Sequence, residues 1–523
     1  MRQNRRKFLR NCAFASAAAA MACSSGRKPK GEQTGSLVVD PRPLFDISPY
    51  LYMQFMEPLG VTDSSVDACW DWNRDDWRED FVELVRDLAP DVIRWGGSFI
   101  KNYKWREGVG PPAERPLSRS YVWGGVTTNR VGTGEFVDLC RRVGAEALMN
   151  VNFLSGGHPD YSGAGGDNRV GDAEEAADWV SYANDPDDRL RLSHGIKEPC
   201  TIKLWQIGNE TSYNSRGFTL DQAVRHTVEF ARAMKARDSS IELIGWGGRD
   251  STDGSFWAPG MIEGAGEYLD YIAMHMMSQG PRRKNTVLQG MDYTTEPEQA
   301  WEELNELADQ VGKKTADFKE LVAGAGGDMP IAVTEGHLSL RPHNACPILC
   351  EWLTGVYHAR SMNSYQRLGD RVKIATGADF AGTRWTVNAV MLQVPPRRGS
   401  VSYLMPVGSV MRLFKKYNGK QGVGVKSAPA ELDIAASRTD DRIYLHVANK
   451  SYSRAVEASF TVEGFTLTRG RVYEIAPSDL RTYVSQDRPE VFKPAEHELK
   501  GSPNIEWRFP AGSVCAVELE IMA

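Results

Sequence analysis

The sequence predicts an α/β protein, a (β/α)8 barrel (TIM barrel) followed by an all-β sandwich domain. Two observations carry that prediction. Short apolar runs at 50–57, 92–97, 145–153, 202–210, 241–246, 269–276, 331–335 and 372–378 alternate with amphipathic stretches such as 76–89, 134–143, 173–182, 220–236, 300–321 and 348–368. Eight buried runs interleaved with helices call for a parallel sheet wrapped by its crossover helices. From about Gln421 the pattern changes: 432–437, 442–447, 458–462 and 513–521 read as strands, and no long amphipathic stretch separates them. A tail of that kind fits a sandwich.

The 523 residues, 41% hydrophobic and 25% charged, suffice for a large core and exclude bulk disorder. Sixty-two Lys and Arg against 68 Asp and Glu leave a net charge of −6. Coating nucleic acid or an anionic membrane needs a basic excess, so neither is an expected partner. Arg5-Arg6-Lys7-Phe8-Leu9-Arg10, followed by a short alanine-rich run, reads as a twin-arginine export signal over 1–23. Cys23, after Ala20-Met21-Ala22, sits where a lipoprotein is cleaved and lipidated. The expected location is therefore the cell envelope, periplasmic or held at a membrane only through that lipid. The expected organisation continues with a linker at 24–36, a strand at 37–48 that joins the sandwich, the barrel at 49–420 and the sandwich at 421–523. The six cysteines past Cys23 show no Cys-x-x-Cys spacing and read as free thiols, with Cys346 and Cys350 one turn apart on a helix.

In a barrel of this type the chemistry sits at the carboxyl ends of the strands. Two apolar strands end in glutamate: Leu204-Trp-Gln-Ile-Gly-Asn-Glu210 on the fourth, and Ile331-Ala-Val-Thr-Glu335 on the seventh. A carboxylate closing a buried strand is costly unless it is paired or functional. Two of them across one barrel mouth are the pair that a retaining glycosidase needs, one as nucleophile and one as acid and then base. No metal or other cofactor is expected. The nine histidines contain no His-x-x-x-His pair, and no phosphate-binding Gly-x-x-x-x-Gly-Lys-Ser/Thr occurs.

Asn209-Glu210 on the fourth strand and Glu335 on the seventh resemble clan A of the glycoside hydrolases. More narrowly, the chain resembles the α-L-arabinofuranosidases of glycoside hydrolase family 51. The blocks that carry the likeness are Tyr50-Leu-Tyr-Met-Gln-Phe-Met-Glu57, Arg94-Trp-Gly-Gly-Ser-Phe99, and Asn102-Tyr103 with Trp105 and Gly108-Val-Gly-Pro111. Asn150-Val-Asn152 and Trp179-Val-Ser-Tyr-Ala-Asn184 extend it. The resemblance implies Glu210 as acid/base and Glu335 as nucleophile. It implies Asn209 on the sugar's 2-hydroxyl, Glu57 on another hydroxyl, and Arg94 beneath the nucleophile, holding it as a carboxylate. Ser98 and His275 join the substrate-binding set. The implied partner is an arabinose-containing poly- or oligosaccharide, and the implied assembly is a homo-oligomer.

Three positions depart from the family pattern and cluster on the sugar-facing wall: Gly336-His337 in place of a tryptophan, Met277 in place of an aromatic, and Ser98 in place of Asn or Cys. They keep other readings open, among them another retaining clan A enzyme of β-xylosidase or β-glucuronidase type, and a surface lipoprotein that binds glycans without cleaving them.

Overall fold

Eight parallel strands form one sheet in chain order: Met53–Met56, Val92–Trp95, Glu146–Val151, Leu204–Ile207, Glu242–Trp246, Tyr271–Gln279, Ile331–Ser339 and Val372–Ala375. In this computed structural model residues 35–155, 171–213, 218–281, 283–342, 344–393, 401–500 and 505–522 are described. The sheet closes on itself where Tyr52 bridges Ala375 in parallel and Ala375 N donates to Leu51 O at 2.9 Å. Each strand is followed by a helix: Glu79–Leu88, Thr133–Val143, Ala173–Asn184, Leu220–Arg237, Ala258–Ala265, Pro297–Gly324, Gly355–Arg367 and Pro406–Lys416. The predicted eightfold barrel is thus complete, each of the eight predicted runs overlapping one of its strands, though the sixth and seventh strands run on to Gln279 and Ser339.

Local sequence explains several boundaries. Thr219 accepts from Gln222 N while the Gln222 side chain accepts from Thr219 N, a reciprocal cap that starts the fourth helix. Asp172 caps the third helix by accepting from Glu175 N. Gly144, at φ +76°, ends the second.

The stretch 348–368, read as one helix, is broken at its start. Short 3-10 turns at Pro347–Cys350 and Trp352–Thr354 precede the helix Gly355–Arg367. Tertiary bonds override the helical pattern there. Trp352 N donates to Thr482 O at 2.9 Å, and Glu351 accepts from Arg481 Nε at 3.0 Å and from the Tyr293 hydroxyl at 2.8 Å. Cys346 and Cys350 therefore do not share a helix face, though both are free thiols.

A second sheet of nine strands runs in the order Ala495–Lys500, Thr466–Ile475, Val514–Met522, Arg442–Asn449, Leu432–Arg438, Gln421–Ser427, Gly35–Asp46, Val456–Val462 and Glu506–Phe509. Its two ends curl over one apolar core that includes Leu37, Ile443, Leu445, Val472, Phe460 and Phe509. Gly35–Asp46 pairs antiparallel with Gln421–Ser427 and parallel with Val456–Val462. The sheet is fastened to the barrel's helices by polar bonds. Trp352 Nε1 donates to Gly512 O at 2.9 Å, Trp301 Nε1 to Lys450 O at 2.7 Å, and Arg367 to Asp433 at 2.8 Å.

Candidate active site

The site is built outward from a single buried guanidinium. Arg94, third residue of the second barrel strand, points into the barrel and is 0% exposed. A cation there must find acceptors, and Arg94 finds four. Its Nε donates to Gln206 Oε1 of the fourth strand at 2.9 Å, and Nη2 donates to Asn209 Oδ1 at 2.6 Å. Its Nη1 donates to Glu335 Oε1 at 2.9 Å and, more weakly, to Thr334 O at 3.4 Å. Arg94 therefore ties the ends of the fourth and seventh strands to the second.

Beyond that hub the two strand-end glutamates meet at an imidazole. His275 Nδ1 lies 2.9 Å from Glu210 Oε1 and 3.5 Å from Glu335 Oε2. One ligand-type atom from each of the three residues lies within 4.8 Å of the others, and among the described residues no other such trio occurs. Two carboxylates and an imidazole could hold a cation, but Arg94, 2.9 Å from Glu335, opposes one there.

Burial pushes the His275 ring down to about 3, so it is neutral. Its ring meets Trp246 edge-on at 4.5 Å. Burial also raises the Glu210 carboxyl above its ordinary value, while the charges of Lys101, Arg94 and His337 pull the other way. Glu210 sits in the left-handed region at φ +51°, which for a residue with a side chain costs backbone strain. Gly208, at φ +74°, makes the turn just before it.

Glu57 closes the far side. It is 6% exposed, and Phe99 N donates to its Oε2 at 3.3 Å. Burial first, and then the negative charge of Glu335, push its carboxyl well above the ordinary range. The loop after the second strand can cross it only because residue 97 is glycine: a Cβ there would lie 1.8 Å from Glu57 Oε2, at φ +138°. Ser98 follows on this loop, half-buried.

Arg94, Asn209, Glu210, His275 and Glu335 are thus brought into one hydrogen-bonded cluster. Glu57 is coupled to it through charge, and Ser98 lies beside it on the loop over Glu57. Cys23 lies outside the described residues.

Two further groups were not picked out from the sequence. Asp379, just beyond the eighth strand, lies 2.6 Å from His337 Nδ1. Burial alone would lower His337, but Asp379, then Glu335 and Glu210, raise it above its ordinary value. His337 lies two residues beyond Glu335 on the same strand, so both face the same way, and Met277 is its register partner on the neighbouring strand. Lys101, 7% exposed, is near enough for its charge to act on Glu210. Asp379 closes an apolar run as the two glutamates do, and the same rule could have found it. Lys101 has no comparable signal.

Residues 84–296 match the family model described as the alpha-L-arabinofuranosidase 1 domain. Over this stretch the chain matches an alpha-L-arabinofuranosidase domain. The match holds Arg94, Ser98, Asn209, Glu210 and His275, whereas Glu57 and Glu335 lie outside it. Over 212 residues the chain is 35% identical to an intracellular exo-alpha-(1->5)-L-arabinofuranosidase of Acetivibrio thermocellus, covering 39% of each chain. Over 255 residues it is 33% identical to one of Halalkalibacterium halodurans, covering 46% of this chain and 48% of that one. The chain thus spans less than half the length of the curated relatives it matches.

Among solved structures, a family 51 alpha-L-arabinofuranosidase from Bifidobacterium longum superposes with a TM-score of 0.76 at 19% identity, over 93% of this chain and 99% of that one. The alpha-L-arabinofuranosidase of Thermotoga maritima superposes with 0.72 at 23%, over 93% and 100%. These two likenesses establish the shared fold.

The arabinofuranosidase relatives also correct one expectation. Both curated enzymes are named intracellular, which overturns the reading of an exported, periplasmic or lipid-anchored protein. A pair of arginines before an alanine-rich run specifies a composition, and composition alone is weak evidence for an address. The segment itself lies outside the described residues. Among those described, no helix is long and apolar enough to cross a membrane.

Proposed function

We propose that the protein is a retaining glycoside hydrolase that removes terminal α-L-arabinofuranosyl units from plant-type poly- or oligosaccharides. One observation carries this reading: Glu210 and Glu335 converge on His275, with oxygens of both inside a 4.8 Å trio, in a chain whose residues 84–296 match an arabinofuranosidase domain. That spacing suits direct attack by one carboxylate, for which roughly 5–5.5 Å is typical, and leaves no room for the water of an inverting enzyme at about 6.5–9.5 Å.

In the first step a Glu335 oxygen bonds to the anomeric carbon as the glycosidic C–O bond breaks, and Glu210 gives its proton to the departing oxygen. Arg94 holds Glu335 Oε1 in place while this happens. In the second step Glu210, now a carboxylate, takes a proton from water. The water oxygen bonds to the anomeric carbon, and the Glu335 ester bond breaks. A buried Glu210 with a raised pKa suits the acid role. Neutral His275, 2.9 Å away, orients that carboxyl without adding charge. Asn209 and Glu57 are assigned to sugar hydroxyls, and Ser98 to the wall beside them. The barrel at 49–420 is the catalytic domain in this reading, and 421–523 the accessory sandwich.

A second reading is favoured by the His337–Asp379 pair, which stands on the sugar-facing wall where the family pattern is lost. It makes the protein another clan A retaining glycosidase, of β-xylosidase or β-glucuronidase type. A panel of nitrophenyl glycosides separates the two. Turnover of the α-L-arabinofuranoside supports the first, and turnover of the β-xyloside or β-glucuronide with none of the arabinofuranoside rejects it.

A further inference from the structure

Next to the carboxylate pair a cavity of about 610 Å³ opens along the carboxyl ends of the fifth and sixth strands. His275 forms part of its wall, together with Tyr213, Phe256, Met277, Arg249 and Lys314. It shares the lining residue Gln279 with a second cavity of about 660 Å³ that carries Arg283 and Arg341. Tyr213 lies three residues past Glu210, so the cleft leads away from the site on the side of the proposed acid. That is the side on which the leaving group departs.

Cations outnumber carboxylates in this lining: Arg249 and Lys314 stand beside Asp250 in the first cavity, and in the second Arg283 is paired with Glu303 and Glu306 while Arg341, among the described residues, is not paired. Among the described residues, neither Arg249, Lys314 nor Arg341 has a carboxylate within ion-pair distance. Arg249 is held on the wall by stacking 4.6 Å over the Phe256 ring, and Phe256 in turn packs on Phe318 at 5.2 Å. Lys314 comes from the long helix after the sixth strand. Partial burial, then the charge of Arg249, hold its ammonium below the ordinary value, so the two cations are close enough to feel each other. Asp250 is the single acidic residue of the first cavity, and its oxygens serve the loop: Oδ1 accepts from Thr252 N at 2.7 Å and Oδ2 from Trp257 Nε1 at 3.1 Å. In a chain with a net charge of −6, three cations in neighbouring cavities with no carboxylate in ion-pair contact among the described residues are a local feature, and such a cleft concentrates anions.

We propose that this cleft is a leaving-group subsite for an anionic sugar, carboxylated or sulfated, so that the natural substrate bears its arabinofuranosyl units on an acidic glycan. The proposal rests on the reading above for which side the leaving group takes. Arg249 presents a planar fork that matches a carboxylate or sulfate, Lys314 adds a point charge, and Phe256 and Tyr213 supply flat surface for the sugar ring.

Calorimetric titration of the full chain with trigalacturonate, a sulfated galactose trimer and neutral galactotriose tests this without requiring turnover. At low salt at least one anionic trimer is expected to bind about ten-fold or more tighter than the neutral one, with the preference shrinking as salt rises. Which anionic trimer binds distinguishes carboxylate from sulfate. The double variant Arg249→Gln, Lys314→Gln should lose that preference at an unchanged melting midpoint. Lys313→Gln, which removes one positive charge from the exposed neighbouring position on the helix, should keep it. Equal binding of all three trimers, or retention of the preference in the double variant, overturns the proposal. Failure of the nitrophenyl panel would reject the arabinofuranosidase reading and leave this binding result to stand or fall separately.

Discussion

Replacing Arg94 with methionine removes the hub of the site while nearly preserving its volume. The Glu335 carboxylate then lies buried without its 2.9 Å partner, and Gln206, Asn209 and the Thr334 carbonyl each lose a donor. Breaking a buried ion pair from one side costs about 3–5 kcal/mol, because the remaining charge is left desolvated. Unfolding entropy of about 2.1 cal/mol/K per residue over roughly 490 residues gives about 1 kcal/mol/K, so the melting midpoint should fall by about 3–5 °C. An exposed pair, worth up to about 1 kcal/mol, would move it by no more than about 1 °C. Glu335 also loses its positioning, and kcat/KM on an activated aryl arabinofuranoside should drop by about 100-fold or more. Arg94→Lys keeps the charge but cannot span four acceptors, so it should fall between the two. Calorimetry and steady-state kinetics on the same preparations provide the readings. A midpoint within 1 °C of the wild type, together with kcat/KM within about two-fold, would refute the claim that Arg94 organises the site.

Two further outcomes follow from the electrostatics. Lys101 lowers the Glu210 pKa from its burial-raised position, so Lys101→Met should raise it further. Glu210 must be protonated to act as acid, and the basic limb of kcat/KM against pH should therefore move to higher pH; a shift to lower pH or none would count against Lys101 acting on Glu210. Glu57 is held well above 4.5 in the folded chain by burial and Glu335, so it costs stability increasingly as pH rises past the unfolded value. Glu57→Gln should therefore melt higher than wild type at pH 7, with the difference vanishing below about pH 4, while KM for the arabinofuranoside rises. A lower midpoint at pH 7 would show that the charge of Glu57 is compensated.

The barrel was legible because burial of a strand on both faces leaves a continuous apolar run, and each run here is bounded by turns or amphipathic stretches. The helices Ala258–Ala265 and Pro406–Lys416 were not, and the first shows why. Gly260 and Gly264 weaken its helical signature, yet they are there for packing: a Cβ at Gly260 would lie 2.6 Å from Leu220. Glu210 and Glu335 were legible because a carboxylate at the end of a buried strand is expensive. The sources of their electrostatics were less so. For Glu210 the largest cause is burial, which depends on how the barrel packs around it. Lys101 becomes a buried cation only through the 3-10 turn Ser98–Lys101, and Arg249 meets Lys314 only because the barrel places the fifth strand's loop beside a helix that follows the sixth. Such pairings are properties of topology, which no local pattern in the chain encodes.

The claim that Glu335 is the nucleophile and Glu210 the acid/base is tested most directly by trapping the covalent intermediate. Glu210→Ala, mixed with an aryl α-L-arabinofuranoside whose leaving group needs little protonation, should complete the first step and stall in the second. Intact-mass spectrometry should then show one added pentosyl unit, and peptide mapping should place it on Glu335. A label on any other residue would contradict the account, as would undiminished turnover by Glu335→Ala.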